Sequence, residues 1–241
     1  CSLKSIGKHT FIFLYITLYT CIIFPNPFPT TINTNTITTS GSQTYSGALT
    51  IGTNTTLTAS NADITFSSTV NSATSSAKTL TVNAGSGTLT INGAVGGTNI
   101  LSTTALTAGS VVTGASGSIR MLGSALSITT DTISLGANIS GTNTLTIAPR
   151  TVTTTIGLAG ADGSLNLTSA ELDYLQNGFS VITIGSASGT GKITIGSYTF
   201  NDSLTLINGG ASSNGGMQFT GAVSVLGSSG TTNTLTLNTR G

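Results

Sequence analysis

Thr79-Leu80-Thr81-Val82-Asn83-Ala84-Gly85-Ser86-Gly87-Thr88-Leu89-Thr90-Ile91-Asn92 holds two copies of one short pattern. Each copy runs Thr, apolar, Thr, apolar, Asn, and a small-residue turn, Ala84 to Gly87, separates them. Successive side chains of a strand point to opposite faces, so Leu80 with Val82 and Leu89 with Ile91 share one face. Thr79, Thr81, Thr88 and Thr90 take the other. Threonine is β-branched and stiff at χ1, which suits an extended backbone. Asn and Gly end each run because both tolerate a positive φ at a turn.

Working outward, the pattern returns at Leu49-Thr50-Ile51, Ile64-Thr65-Phe66, Leu126-Ser127-Ile128, Ile133-Ser134-Leu135 and Leu145-Thr146-Ile147. It continues at Leu165-Asn166-Leu167, Ile182-Thr183-Ile184, Ile193-Thr194-Ile195, Leu204-Thr205-Leu206, Val223-Ser224-Val225 and Leu235-Thr236-Leu237. A second phrase, Gly-Thr-Asn, recurs at Gly52, Gly97 and Gly141. Degenerate repetition of this kind points to a solenoid. Most turns are longer than a two-residue hairpin and rich in Gly and Ser, which favours a parallel β-helix over a meander. If a coil takes roughly 20 to 25 residues, the body holds about eight to ten coils. Leu, Ile and Val then point inward, and Thr, Ser and Asn point outward as stacked ladders. From Asn99 to Gly117 the pattern blurs, which predicts irregular connections there.

Composition supports a folded chain of small residues. Charged residues make up 5% of the 241, against about 25% in an ordinary globular protein. Hydrophobic residues are 37% and sit at period two, so the low charge does not imply disorder. The net charge of +1 gives no electrostatic footprint for nucleic acid. Cys1 and Cys21 are the two cysteines, so a disulfide framework for the repeat region is excluded.

Residues 1–35 stand outside the pattern, and the repeat region runs over 36–241. Lys4 and Lys8 precede the apolar run Phe11 to Phe24, which is short for a spanning helix of about 20 residues. Pro25, Pro27 and Pro29 follow. Three readings stand side by side: a signal or anchor segment, with membrane contact through 11–24; a boundary artefact of a partial reading; and a lipidated Cys1. The close at Asn238-Thr239-Arg240-Gly241 shows no cap, which reads as a segment of a longer array.

One stretch predicts a helical turn: Thr168-Ser169-Ala170-Glu171-Leu172-Asp173-Tyr174-Leu175. Thr168 and Glu171 have capping-box spacing, Leu172 and Leu175 would face the core, and Gly178 follows as a stop.

The sequence offers no catalytic, cofactor-binding or metal-ligating residue set. His9 is the single histidine and lies in the anomalous segment. The body therefore lacks the usual general base, Cys–His pair and transition-metal ligands, and its serines have no histidine partner. Its carboxylates are Asp63, Asp131, Asp162, Glu171, Asp173 and Asp202. A polysaccharide-cleaving solenoid would need two of them about 5 to 9.5 Å apart, and turn or cap roles are the simpler reading. Gly157 to Gly163 is an imperfect single copy of a calcium nonapeptide and reads as a polar turn. Gly189-Thr190-Gly191-Lys192 precedes a strand and lacks phosphate-loop spacing. Asn54, Asn138, Asn166 and Asn201 head N-glycosylation triplets that chance supplies in a chain this rich in Asn, Ser and Thr.

Outward Thr-x-Thr pairs occur at Thr56–Thr58, Thr79–Thr81, Thr88–Thr90, Thr144–Thr146 and Thr234–Thr236. Such rows could order water and bind ice. That requires one uninterrupted face and constant coil length, and the irregular spacing argues against it.

Ser40 to Ile51, Asp63-Ile64-Thr65-Phe66, Ile91 to Gly97 and Leu167 to Asp173 resemble the repeats of filamentous-haemagglutinin-like bacterial exoproteins. The resemblance covers about residues 37–241. It implies a right-handed parallel β-helix, export through an outer-membrane transporter barrel, and adhesion at the cell surface. The resulting expectation is a non-enzymatic, cofactor-free stalk or display scaffold that meets a host-cell, glycan or abiotic surface. A carbohydrate-active or carbohydrate-binding β-helix and an ice-binding solenoid are the alternatives.

Overall fold

The computed structural model describes residues 28–73, 76–210, 216–226 and 232–239, with the backbone of 11–12, 17–18 and 22–24. Cys1, Lys4, Lys8, His9, Cys21, Pro25 and Pro27 lie outside the described residues. The chain is a parallel β-solenoid with three-sided coils. Leu49–Ile51, Thr55–Ala59 and Ile64–Phe66 are the sides of one coil. Val70–Ser72, Leu80–Asn83 and Thr88–Ile91 are the sides of the next, and each pairs parallel with its counterpart. The opening stretch of sequence is thus two adjacent sides of one coil.

The second side forms an unbroken sheet of ten strands, from Thr17–Leu18 to Leu235–Thr239. Nine of these strands lie within 36–241, within the expected coil number. The first and third sides are broken into smaller sheets. The first is carried past Val70–Ser72 by single bridges at Val95, and past Ile139–Gly141 by one at Leu175. The backbone strands at 11–12, 17–18 and 22–24 pair parallel with Thr30–Ile32, Thr36–Thr39 and Gln43–Tyr45.

The core follows from the alternation. Leu57, Val82, Leu106, Ile128, Ile147, Ile184 and Leu206 are successive register partners on the second sheet, and all are buried. Burying each such side chain is worth about 1.5–3 kcal/mol, before the entropy of ordering the chain is subtracted. Tyr45 and Phe66 stack on the third side with ring centroids 5.6 Å apart.

Not every inward position is apolar, which corrects the expected division between inward Leu, Ile and Val and outward Thr, Ser and Asn. Thr39, Gln43, Thr55, Thr104, Thr113, Thr130 and Asn208 are buried. A polar side chain tolerates burial when a hydrogen-bond partner replaces water, and strand ends supply carbonyls. Thr55 donates to the carbonyls of Thr34 (3.0 Å) and Thr53 (2.9 Å). The Gln43 amide donates to the carbonyl of Thr58 (2.8 Å) and accepts from the Tyr45 hydroxyl (2.8 Å). Among the described residues no buried side-chain nitrogen or oxygen lacks a partner.

Corners are tied from coil to coil. Asn54 Oδ1 accepts from the amide of Thr79 (3.0 Å), Asn61 Oδ1 from Ser86 (3.1 Å) and Asp63 Oδ1 from Thr88 (2.8 Å), each 25 residues on. A short polar side chain at a strand end thus satisfies a backbone donor of the next coil that the ladder does not reach. Of the three Gly-Thr-Asn phrases, the one at Gly52 supplies such a tie, through Asn54.

Residues 99–117 depart from expectation. They contain two in-register strands, Thr104–Thr107 and Ser110–Thr113. The pattern was masked because Thr104 points inward beside Leu106 while Ala105 points outward. Val111 is buried, and its apolar neighbour Val112 is only half-buried.

The coil near residue 150 carries an excursion. Ile156–Leu158 and Leu165–Leu167 pair parallel with each other only nine residues apart. The chain reverses between them through Ala159 (φ 57°) and Gly160 (φ 80°). The expected helical turn follows at Ser169–Leu172 with its capping box formed, and Leu172 is buried. Leu175 packs against the core partly buried. The Glu171 carboxylate also accepts from the amide of Leu135 (3.0 Å), which fixes the excursion on the coil beneath.

Candidate functional surfaces

Five of the six carboxylates carry structural bonds. Asp63 is a corner tie. Glu171 caps the helix and holds Leu135. Asp173 accepts from the Tyr198 hydroxyl (2.8 Å). Burial and this carboxylate together hold the phenol pKa above its ordinary value. Asp202 accepts from the amides of Gly178 (2.9 Å) and Phe179 (3.1 Å), where the excursion rejoins the stack. Its burial raises its pKa, and the two amides offset only part of that rise.

Asp131 accepts from the Thr151 amide (2.6 Å), the Thr151 hydroxyl (2.7 Å) and the Thr154 hydroxyl (2.8 Å), and pairs with Arg150 at 3.6 Å. Partial burial pulls its pKa up, but the Thr151 and Thr154 hydrogen bonds and the Arg150 charge together bring it below the ordinary 3.8. A depressed folded-state pKa contributes stability that is full above the unfolded value and is lost as pH falls through the folded one. Acid titration followed by circular dichroism is expected to show this contribution intact above about pH 4 and lost below it. Asp131→Asn is expected to remove that part of the acid dependence.

Asp162 has no partner among the described residues. It stands exposed at the lip of a groove of about 570 Å³. The groove is walled by the reversal at 159–164 and floored by Thr194 beside Lys192 and Gln218. Lys192 Nζ donates to Gln218 Oε1, and Thr155 Oγ1 accepts from the Ser164 amide (3.1 Å). The groove exists because the excursion doubles a strand. The residues of the calcium-like turn supply its wall, and the described residues hold no group of three or more metal-ligating side chains. A second groove, of about 430 Å³, is lined by Ala73, Ala77, Ile100 and Leu122 beside the exposed Arg120.

Gly189 to Lys192 forms a turn into the strand Ile193–Ile195, with the amide of Gly189 donating to the Ser186 carbonyl (2.9 Å). Asn54 is committed to its corner bond, and the Asn166 amide donates to the Ala161 carbonyl (2.7 Å). Asn138 and Asn201 are exposed.

The Thr-x-Thr pairs divide between two sides. Thr56, Thr58, Thr81, Thr144, Thr146 and Thr236 lie on strands of the second sheet, and Thr88 and Thr90 belong to the third. Spacing along the chain could not make this distinction.

Among the described residues no helix is long and apolar enough to cross a membrane. No protein-family model, curated protein or solved structure matches the chain.

Proposed function

We propose that this chain is a structural segment of an exported bacterial surface protein, a rigid stalk that displays contact loops for adhesion. The observation that carries this reading is the allocation of polar groups. Five of the six carboxylates and the corner Asn residues hold one coil to the next, while Asp162 and its groove stand free. A scaffold needs a stack that resists unzipping, and recognition is drawn from the irregular positions on it. The resemblance of 37–241 to filamentous-haemagglutinin-like repeats supplies the exported, cell-surface setting.

The groove beside Asp162 favours one second reading, glycan binding. An unpaired carboxylate, an ammonium and hydroxyls in a groove of this size suit a polyhydroxylated ligand. Displaying the whole chain on a non-adherent bacterium tests both. Retention on epithelial cells or glass is expected to rise above the undisplayed strain. Retention equal to that strain on every surface contradicts adhesion. Loss of retention on Asp162→Ala, with the wild-type fold kept, assigns the contact to the groove. Incubation with polysaccharides is expected to release no reducing ends.

A further inference from the structure

The outer face of the second sheet holds a column of register partners: Thr36, Thr56, Thr81, Ala105, Ser127, Thr146, Thr183, Thr205 and Thr236. Seven of the nine are threonine. A parallel column two residues along runs Thr38, Thr58, Asn83, Thr107 and Thr129. It then passes to Ala148, and Ile207 and Asn238 face the last two coils. The irregular coil length that argued against such a face falls outside this sheet, in the corners and in the excursion at 156–172. The step is 19 residues from Thr129 to Ala148 and 37 from Ile147 to Ile184, yet the pairing never slips.

Three properties of this face point to its occupant. Neither column contains a charged side chain, so a charged partner gains nothing there. Neither contains an aromatic ring, the platform on which a protein stacks a sugar or a base. No threonine hydroxyl in the two columns makes a hydrogen bond within the protein, whereas Thr39, Thr55, Thr104, Thr130 and Thr154 do. What remains is a grid made mainly of methyl and hydroxyl groups, with Ala105 and Asn83 set among the threonines. It repeats about 4.8 Å along the stack and about 6.6 Å along each strand. Every hydroxyl is left to water.

We propose that this face is an ice-binding surface: it holds ordered water in a two-dimensional array that merges with a growing ice lattice. The methyls space the waters and the hydroxyls anchor them. The full width of the grid lies at Thr36 to Thr129, and the single column extends it to Thr236. This proposal is independent of the adhesive reading and can fail without it.

The test uses the whole chain at millimolar concentration. Thermal hysteresis with faceted crystals is expected for the wild type. Thr81→Lys and Thr146→Lys place long charged side chains in the column, and each is expected to abolish at least nine-tenths of the hysteresis with the circular dichroism melt unchanged. Thr65→Lys, on the third side, is expected to keep it. Absence of hysteresis in folded wild-type protein overturns the proposal. So does equal loss in Thr65→Lys, or retention of the folded protein on cellulose or chitin and not on ice.

Discussion

Leu145→Ala is expected to lower the unfolding free energy by about 2–5 kcal/mol, the range for deleting a buried leucine without refilling the space. Leu145 is fully buried and sits in register between Leu126 and Ile182. Its column neighbours are fixed by backbone ladders above and below, so they cannot slide in to close the cavity. The coil also contacts chiefly its two neighbours, so the loss stays local. In a stacked array this local loss uncouples the two flanks. Urea unfolding followed by circular dichroism is expected to show a lower midpoint and a broader transition. A shift below about 0.5 kcal/mol, the scale of a neutral surface change, would show that Leu145 is not in a packed column.

Gly185→Val is expected to cost at least as much, for a different reason. Gly185 has φ 104°, a conformation that L side chains rarely adopt, inside the strand Val181–Ser186. A side chain there would also meet the carbonyl of Ile207 on the adjacent coil. Backbone strain of about 1–3 kcal/mol adds to overpacking of about 1–3 kcal/mol, because the obstacle is main chain and cannot rotate away. Gly160→Ala isolates the first term. Gly160 also has a positive φ, 80°, but nothing lies within 4 Å of the position a Cβ would take. The melting temperature of Gly185→Val is therefore expected to fall well below that of Gly160→Ala. Equal losses would mean that the strand at 181–186 does not pack against 204–208 as described.

Much of this architecture was legible from alternation alone. From Leu49 to Leu206, where Leu, Ile or Val flank one polar residue, as at Leu145-Thr146-Ile147, both apolar residues are buried, whereas Val223 and Val225 are half-buried and Leu235 and Leu237 exposed. The helical turn was equally legible, because Thr168 and Glu171 bond locally and need no distant partner. Three features were not. Thr104 and Thr55 point inward, and only neighbouring carbonyls make that tolerable. The pairing of Ile156–Leu158 with Leu165–Leu167 depends on a reversal at Ala159, a residue type that does not advertise a positive φ.

The third concerns the candidate surfaces. Spacing along the chain counts residues in corners as well as in sides, so coils of 19 and 37 residues look incompatible with one flat face. Only the hydrogen-bonded register shows that Thr36 and Thr236 belong to one column. The groove at Asp162 was hidden for a related reason: its floor comes from Thr194 and Gln218, far along the chain from its wall.

Sequence distance converts into height by coils, and paired spin labels measure this directly. With Cys1 and Cys21 replaced by serine, labels at Thr56 and Thr205 span six register steps along one column. Double electron–electron resonance is expected to give a separation of about 29 Å, at about 4.8 Å per coil. Moving the second label from Thr205 to Thr236 adds one coil, and the separation is expected to grow by about 5 Å despite the longer step in sequence. A broad distribution, or a separation that follows residue number rather than coil number, would contradict the parallel in-register stack.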